Sequence, residues 1–213
     1  MSYQPKVYRK QGGDELVIAS GGKITIEEGG ALKASKGIGA LAAISGLTVE
    51  EFGDGVFHKT VFTFDAVSLT TLDNGTAGHG AGSKIYDFPL GVIAVLGASQ
   101  NWDSITIDGT GLTNVAEIDI GIGTTVATSA MGSLTGAAQN IVNKDDITLS
   151  SSLSALDQFI HTMSGGNALD GSATAVDAYL NVAATAATAD ANGTIVLTGT
   201  VTVYWANLGA KST

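Results

Sequence analysis

Regular alternation of apolar and hydroxyl side chains near the C-terminus constrains the fold of this 213-residue chain more than any other feature. Five apolar residues recur there at strand spacing, largely with threonines between them: Ile195, Leu197, Val201, Val203 and Trp205. Because successive strand residues point to opposite faces, this pattern predicts a strand with one buried face. Apolar segments that are typical of strands also occupy residues 56–69, 85–96, 104–108 and 117–122. The sequence therefore predicts a mainly β fold.

Turn signals separate these segments. Asn74-Gly75 and Asn192-Gly193 are dipeptides typical of tight turns. The second lies between the apolar segments 179–188 and 194–205, which we expect to form a hairpin. Pro89 lies within the apolar run 85–96 and favours an edge or a bulge there.

One segment has the spacing of a helix. Serines at positions 150–152 suit helix N-caps, and Gly165-Gly166 would end a helix. Between them, apolar residues recur at helical spacing: Leu153, Leu156, Phe159, Ile160 and Met163. Several strands with one inserted helix predict a β-sandwich or jelly-roll body over residues 55–213.

Two shorter segments precede this body. Residues 1–13 are basic and end in Gly12-Gly13, and we expect them to form an extended arm. In residues 14–43, triplets with apolar first and third residues recur every eight residues, with paired glycines between the first three; the triplets begin at Leu16, Ile24, Leu32 and Ala40. Strands this short must stack to bury a face, so we expect a Gly-punctuated β-repeat or collar over residues 14–54. Hairpins, a short solenoid and a three-chain prism all remain compatible with it.

Charge is scarce and unevenly distributed. Charged residues make up 14% of the chain, against roughly 25% in ordinary soluble domains. Residues 1–60 hold seven basic and seven acidic residues, whereas residues 61–213 hold three basic and thirteen acidic ones. An acidic body repels nucleic acid, so we expect no nucleic-acid partner. A surface of small neutral residues instead favours close packing against other chains.

The residues that usually carry catalysis form no recognisable pattern. There is no cysteine, and the histidines at positions 58, 79 and 161 are far apart in sequence. Glu117 and Asp119 share one predicted strand face with the carboxylates outward, about 7 Å apart by strand geometry, which is weak support for a hydrolase. We predict no enzyme activity, no catalytic residue, no metal, no cofactor and no small-molecule substrate.

The sequence also predicts that the protein does not associate with a membrane. Its N-terminal residues lack the apolar core of a secretory signal, and no apolar run approaches the roughly 20 residues of a membrane helix.

The opening segment resembles a known family. Its sequence runs Tyr3-Gln4-Pro5-Lys6-Val7-Tyr8-Arg9-Lys10-Gln11-Gly12-Gly13-Asp14 and continues into Val17-Ile18-Ala19-Ser20-Gly21-Gly22-Lys23-Ile24. This segment is similar to the N-termini of tailed-phage capsid decoration proteins, also called cement or head fibre proteins. The resemblance covers about the first 35 residues, and the remainder matches only in its Gly-, Ala- and Thr-rich β character.

The resemblance implies a homotrimer on the outer surface of the virion, assembled in the host cytoplasm and bound to the major capsid protein. It also implies that the N-terminal segment holds the shell. The residues that would contact the capsid are Tyr3, Pro5, Lys6, Val7, Tyr8, Arg9 and Lys10. Added main-chain pairing would let such an arm bind without a pocket.

A trimeric phage fibre or adhesin that binds carbohydrate or a host surface is the alternative. Sugar sites favour exposed aromatic side chains, and aromatic residues are only 6% of this chain. Trp102 is the one candidate for such a site, and it would otherwise cover the core of the sandwich.

Overall fold

The computed structural model describes residues 7–9, 16–18, 39–41, 44–53, 56–71, 78–108, 112, 115, 117–148, 158–161, 168–184 and 192–209. The chain divides into two compact units, Met1–Lys33 and Ala34–Thr213. In the smaller unit, β1 (Val7–Arg9) and β2 (Leu16–Ile18) pair antiparallel. β2 is the first predicted triplet; those at Ile24 and Leu32 lie outside the described residues.

The larger unit contains the other strands of the described chain. They are β3 (Ala40–Leu41), β4 (Leu47–Gly53), β5 (Phe57–Thr71), β6 (Ala81–Asp87), β7 (Gly91–Asp108), β8 (Glu117–Gly123), β9 (Val142–Thr148), β10 (Gln158–His161), β11 (Ala168–Gly171), β12 (Asp177–Ala184) and β13 (Gly193–Asn207). A single 3-10 turn, Gly136–Ala138, lies between β8 and β9. The prediction of a mainly β fold is confirmed.

These strands form two antiparallel sheets. The six-stranded sheet has the order β10–β7–β13–β5–β4, and β11 also pairs with β7. The five-stranded sheet has the order β3–β6–β12–β8–β9. Every pair is antiparallel, which permits the alternation of buried and exposed side chains that the sequence contains.

One apolar core lies between the sheets. Phe62 of β5 packs edge-on against Tyr86 of β6, with ring centroids 5.8 Å apart. The five apolar residues predicted on one face of the last strand are all buried there. Both tryptophans, Trp102 and Trp205, are fully buried in the same core. Burial of these large side chains supplies most of the driving force for packing the sheets together.

The predicted helix is wrong where the structure describes it. Gln158–His161 form strand β10, which pairs antiparallel with residues 98–101 of β7. The described residues contain no α-helix. β7 is 18 residues long, and its edge carries backbone groups that β10 and β11 satisfy in turn. This long-range pairing overrides the local helical spacing.

The predicted C-terminal hairpin is also wrong. β12 lies between β6 and β8, whereas β13 lies between β5 and β7 in the other sheet. The two strands are neighbours in sequence and belong to opposite sheets. The apolar run 85–96 is likewise divided, because residues 88–90 connect β6 of one sheet to β7 of the other.

Strand β4 extends the six-stranded sheet at one edge. It pairs along its length with β5, from Leu47 opposite Phe64 to Gly53 opposite His58. Residues 47–53, which the sequence placed in a collar, therefore share a sheet with residues assigned to the body. Ala40 and Leu41, from the last predicted triplet, pair with Asp87 and Tyr86 of β6.

Candidate functional site

The predicted capsid-contact residues lie in and beside β1. In the β1–β2 pair, Val7 lies opposite Ile18, Tyr8 opposite Val17 and Arg9 opposite Leu16. The other predicted contacts, Tyr3, Pro5, Lys6 and Lys10, fall outside the described residues. An extended conformation at residues 7–9 is compatible with a segment that binds through its main chain.

Exposed apolar side chains concentrate at one end of the larger unit. Eight large hydrophobic side chains are exposed in the described chain, and all except Val126 lie at this end. The apolar end, as we name it, consists of Phe52, Val56, Phe57, Leu90, Leu96, Tyr204 and Leu208. An exposed apolar patch of this kind often marks an interaction site.

Strand register places these residues together. Phe52 lies opposite Lys59, Lys59 opposite Tyr204, and Tyr204 opposite Gly97, the neighbour of Leu96. This row crosses the outer face of the sheet from β4 to β7. The Lys59 ammonium lies 5.5 Å from the centroid of the Phe52 ring.

The remaining members of the apolar end are fixed by hydrogen bonds around Asn207. Its N–H donates to the Val56 carbonyl over 2.9 Å, and its Nδ2 donates to the Leu90 carbonyl over 3.2 Å. The Leu208 N–H donates to the Val92 carbonyl over 2.8 Å. The ends of β5, β7 and β13 are thereby held in one place.

Gly39, the first described residue of the larger unit, lies at the same end. It comes six residues after Lys33, where the smaller unit ends. It borders a cleft of about 410 Å³ that is also lined by Phe88, Pro89 and Leu90. The Gly39 N–H donates to the Tyr86 hydroxyl over 2.8 Å. The described part of the larger unit therefore begins beside Leu90 of the apolar end.

A buried polar network supports this entry point. Glu51 accepts a hydrogen bond from the Tyr86 hydroxyl and pairs with Nδ1 of His58 over 2.8 Å. The His58 ring stacks on Trp205, with centroids 4.0 Å apart. Burial, reinforced by the hydrogen bond to Glu51, raises the pKa of Tyr86 well above its usual value. Tyr86 therefore remains a neutral donor, and the network fixes β3, β4 and β6 at this end.

An ion cluster lies on the wall of the cleft. Asp87 and Asp177 are directly opposite on β6 and β12, and the Lys84 ammonium lies 2.5 Å from the first and 3.0 Å from the second. Hydrogen bonds to both carboxylates raise the pKa of Lys84. Burial raises the pKa of Asp87, whereas the hydrogen bond with Asp87 lowers the pKa of Asp177. The ammonium is therefore committed to these two carboxylates.

A second ion cluster corrects the prediction for Asp119. This side chain lies on the same face of β8 as Glu117, but it is covered and only 3% exposed. It accepts hydrogen bonds from Ser133 Oγ over 2.6 Å, from the Leu134 N–H over 2.8 Å and from Lys144 Nζ over 2.9 Å. Residues 124–141 connect β8 to β9, and Ser133 and Leu134 of this connection give the carboxylate its partners. Alternation alone could not reveal that this connection covers the outer face of β8.

This second cluster has the composition of a cation site but already holds a cation. Carboxylate oxygens of Glu117, Asp119 and Asp146 all lie within 4.8 Å of one another. Lys144 Nζ lies 2.5 Å from Asp146 and 2.9 Å from Asp119, so the ammonium takes the place that a metal would take. Burial opposes ionisation of Asp119, but its hydrogen bonds lower its pKa overall. The Asp119 carboxylate is therefore stabilised in its charged form, as in a structural ion pair.

The tryptophan considered for sugar binding offers no stacking surface. Trp102 is fully buried, its ring centroid lies 5.4 Å from that of Phe64, and its Nε1 donates to Gln100 Oε1 over 3.2 Å. Trp102 therefore belongs to the core, in line with the prediction that it covers the core of the sandwich rather than binding sugar.

No known protein family matches the chain, and a search of characterised proteins finds no similar sequence. Among the described residues, no helix has both the length and the apolar character to cross a membrane.

Proposed function

We propose that this chain is a capsid decoration protein of a tailed phage, which binds the outer surface of the head as a trimer and stabilises the shell. The observation that supports docking most directly is the apolar end, which gathers seven exposed hydrophobic side chains at one end of the larger unit. The choice of a capsid as partner comes from the resemblance of residues 3–24.

In this proposal the protein binds through two parts of the chain. The basic arm, with Lys6, Arg9 and Lys10, contacts the shell first, and the apolar end seats against it. The acidic remainder of the body faces solvent, where a net negative charge keeps it apart from nucleic acid and from other acidic surfaces. Apolar burial supplies affinity, while the arm supplies charge complementarity.

Co-sedimentation with phage heads that lack this protein tests the proposal. A Phe57→Ser, Leu96→Ser double variant removes two exposed apolar side chains of the apolar end, and we expect at least about a ten-fold loss of affinity. Val126→Ser is the matched control, because Val126 is 45% exposed but lies away from this end. Binding of the double variant at the level of the control would refute docking through the apolar end.

A trimeric fibre or adhesin that binds carbohydrate remains the second hypothesis for the chain. A glycan array separates the two, since a decoration protein binds heads and leaves the array unlabelled. Array binding without head binding would replace the decoration proposal. Light scattering of the purified protein tests the trimer in either case.

A further inference from the structure

Within the described part of the chain, the outer edge of β4 is an open strand edge. β4 is the last strand of the six-stranded sheet, and no described strand pairs with its far side. An unpaired edge presents a row of N–H and C=O groups that can accept a further strand. At the opposite edge of the same sheet, by contrast, β10 and β11 pair with β7.

The register identifies the backbone groups that face outward. The Asp65 N–H donates to the Gly46 carbonyl over 2.8 Å, which makes this a hydrogen-bonded pair. Because hydrogen-bonded and non-bonded pairs alternate, residues 48, 50 and 52 direct their backbone groups to β5. Val49, Glu51 and Gly53 therefore direct theirs to the open side.

The side chains of β4 define what an added strand must carry. Thr48, Glu50 and Phe52 are exposed on the outer face, and the β4 segment 47–53 holds two acidic residues and no basic one. Glu51 is already paired with His58, which leaves Glu50 as the exposed charge of this strand. Proline and lysine, residues that commonly protect an edge from pairing, are absent from β4.

Positions opposite Glu50 and Phe52 would be non-hydrogen-bonded pairs with an added strand, where side chains approach most closely. A basic residue opposite Glu50 and an aromatic or aliphatic residue opposite Phe52 complement them. These two residues would be two positions apart on the incoming strand. Phe52 also belongs to the apolar end, so an added strand would lie beside the surface already proposed to dock.

We infer that the edge of β4 accepts an extended segment of the shell protein as an additional antiparallel strand, with a basic residue paired to Glu50 and an apolar one to Phe52. This inference rests on the proposed function and names the chemistry of the partner. A second copy of this chain is a poorer occupant, because it would bring a further acidic β4 edge and an acidic body toward the first.

Two variants test the strand addition. Val49→Pro removes an N–H that faces the open side and takes part in no bond to β5, and edge strands tolerate proline. Glu50→Lys reverses the exposed charge without altering the backbone. Asp103→Lys on β7 is the matched control, since Asp103 is an exposed carboxylate of the same sheet away from β4. Thermal unfolding of each variant checks that it folds.

The measurements are head co-sedimentation, amide hydrogen exchange with and without heads, and binding to an array of overlapping 12-residue peptides from the shell protein. We expect protection of the Val49 and Glu51 amides on heads, and about ten-fold weaker binding for Val49→Pro and Glu50→Lys but not for Asp103→Lys. Array peptides that bind should carry an apolar and a basic residue two positions apart. The Glu50→Lys variant should no longer bind those peptides.

Each other outcome counts against the inference. Docking of both variants at the wild-type level, with no protection of these amides, overturns strand addition and leaves the proposed function intact. Protection that depends on protein concentration without heads assigns the edge to a second copy. Failure of the wild-type protein to bind heads overturns the proposed function, and the inference with it.

Discussion

His79 is a buried imidazole without a polar partner among the described residues. It is fully buried, its backbone pairs with that of Ala184, and neither ring nitrogen has a hydrogen-bond partner in the described part of the chain. Burying an unpaired polar group costs free energy that an apolar side chain of similar size avoids. Asn181 is equally buried but satisfied, because its amide bonds to Ala127, Thr125 and Ala138.

The variant His79→Leu is therefore expected to raise the free energy of unfolding by about 1 kcal/mol. Asn181→Leu, the control, should lower it by about 2 kcal/mol or more, because three backbone groups lose their partner. Urea unfolding followed by circular dichroism measures both. A destabilised His79→Leu protein would mean that the imidazole contributes something other than an unpaired polar group.

Lys144 is one of the groups that keep Asp119 charged. Lys144→Met removes the ammonium and leaves a buried carboxylate with Ser133 and Leu134 as its remaining donors. We expect a loss of about 1–3 kcal/mol in the free energy of unfolding near neutral pH. Adding Asp119→Asn to Lys144→Met should restore part of the loss, since no buried charge then remains.

The pH dependence of stability follows from the same contact. The pKa of Asp119 is lowered in the folded protein, so its contribution is present above the pKa of the unfolded carboxyl and disappears as pH falls through the folded value. Urea unfolding between about pH 7 and pH 3 should therefore show stability falling with acid. Lys144→Met should reduce the slope of the free energy of unfolding against pH in this range. If the slope stayed the same, the acid dependence would come from other carboxyls.

At the scale of elements, strands were predictable and their partners were not. The alternation at residues 195–205 identified β13 and its buried face, because that signal is local. The pairing of β12 with β6 and β8 depends on residues about 55 to 100 positions away, which no local turn signal encodes. The segment 158–161 became a strand for the same reason, since β7 offered it an edge.

The candidate site divides in the same way. Strand alternation could identify Phe57, Leu96 and Tyr204 as outward-facing residues. Only the register of β4, β5, β13 and β7 places them at one end. The open edge of β4 likewise depends on sheet order, which is a property of the whole chain.

The turn that leads into β4 requires a glycine. Gly46 has φ +82°, and a Cβ there would lie 2.2 Å from the Asp65 carbonyl oxygen. Gly46→Ala should lower the free energy of unfolding by about 2–3 kcal/mol, from backbone strain plus this clash. Gly136→Ala is the control, because Gly136 has φ +54° with nothing within 4 Å, and it should cost about 1 kcal/mol. If thermal unfolding showed equal losses of stability for Gly46→Ala and Gly136→Ala, the clash with Asp65 would contribute nothing to the cost.

At the scale of the whole molecule, the chain separates the parts that would bind from the part that keeps them soluble. Residues 1–60 are balanced in charge, and residues 61–213 carry the entire net charge of −10. The two compact units divide at Lys33, within the balanced segment. The larger unit contains the apolar core formed by its two sheets, so we expect its stability to be independent of the arm.

Deleting residues 2–13 is therefore expected to abolish head binding while the larger unit stays folded. Thermal unfolding should shift by no more than about 2 °C, because the core lies wholly in the larger unit. Replacing Lys6, Arg9 and Lys10 with alanine should weaken binding less than the deletion, and the gap in affinity between this variant and the wild type should shrink as salt screens the charges. Wild-type binding after the deletion would refute the arm assignment and leave the apolar end as the sole docking surface. Loss of folding would instead show that residues 2–13 stabilise the larger unit.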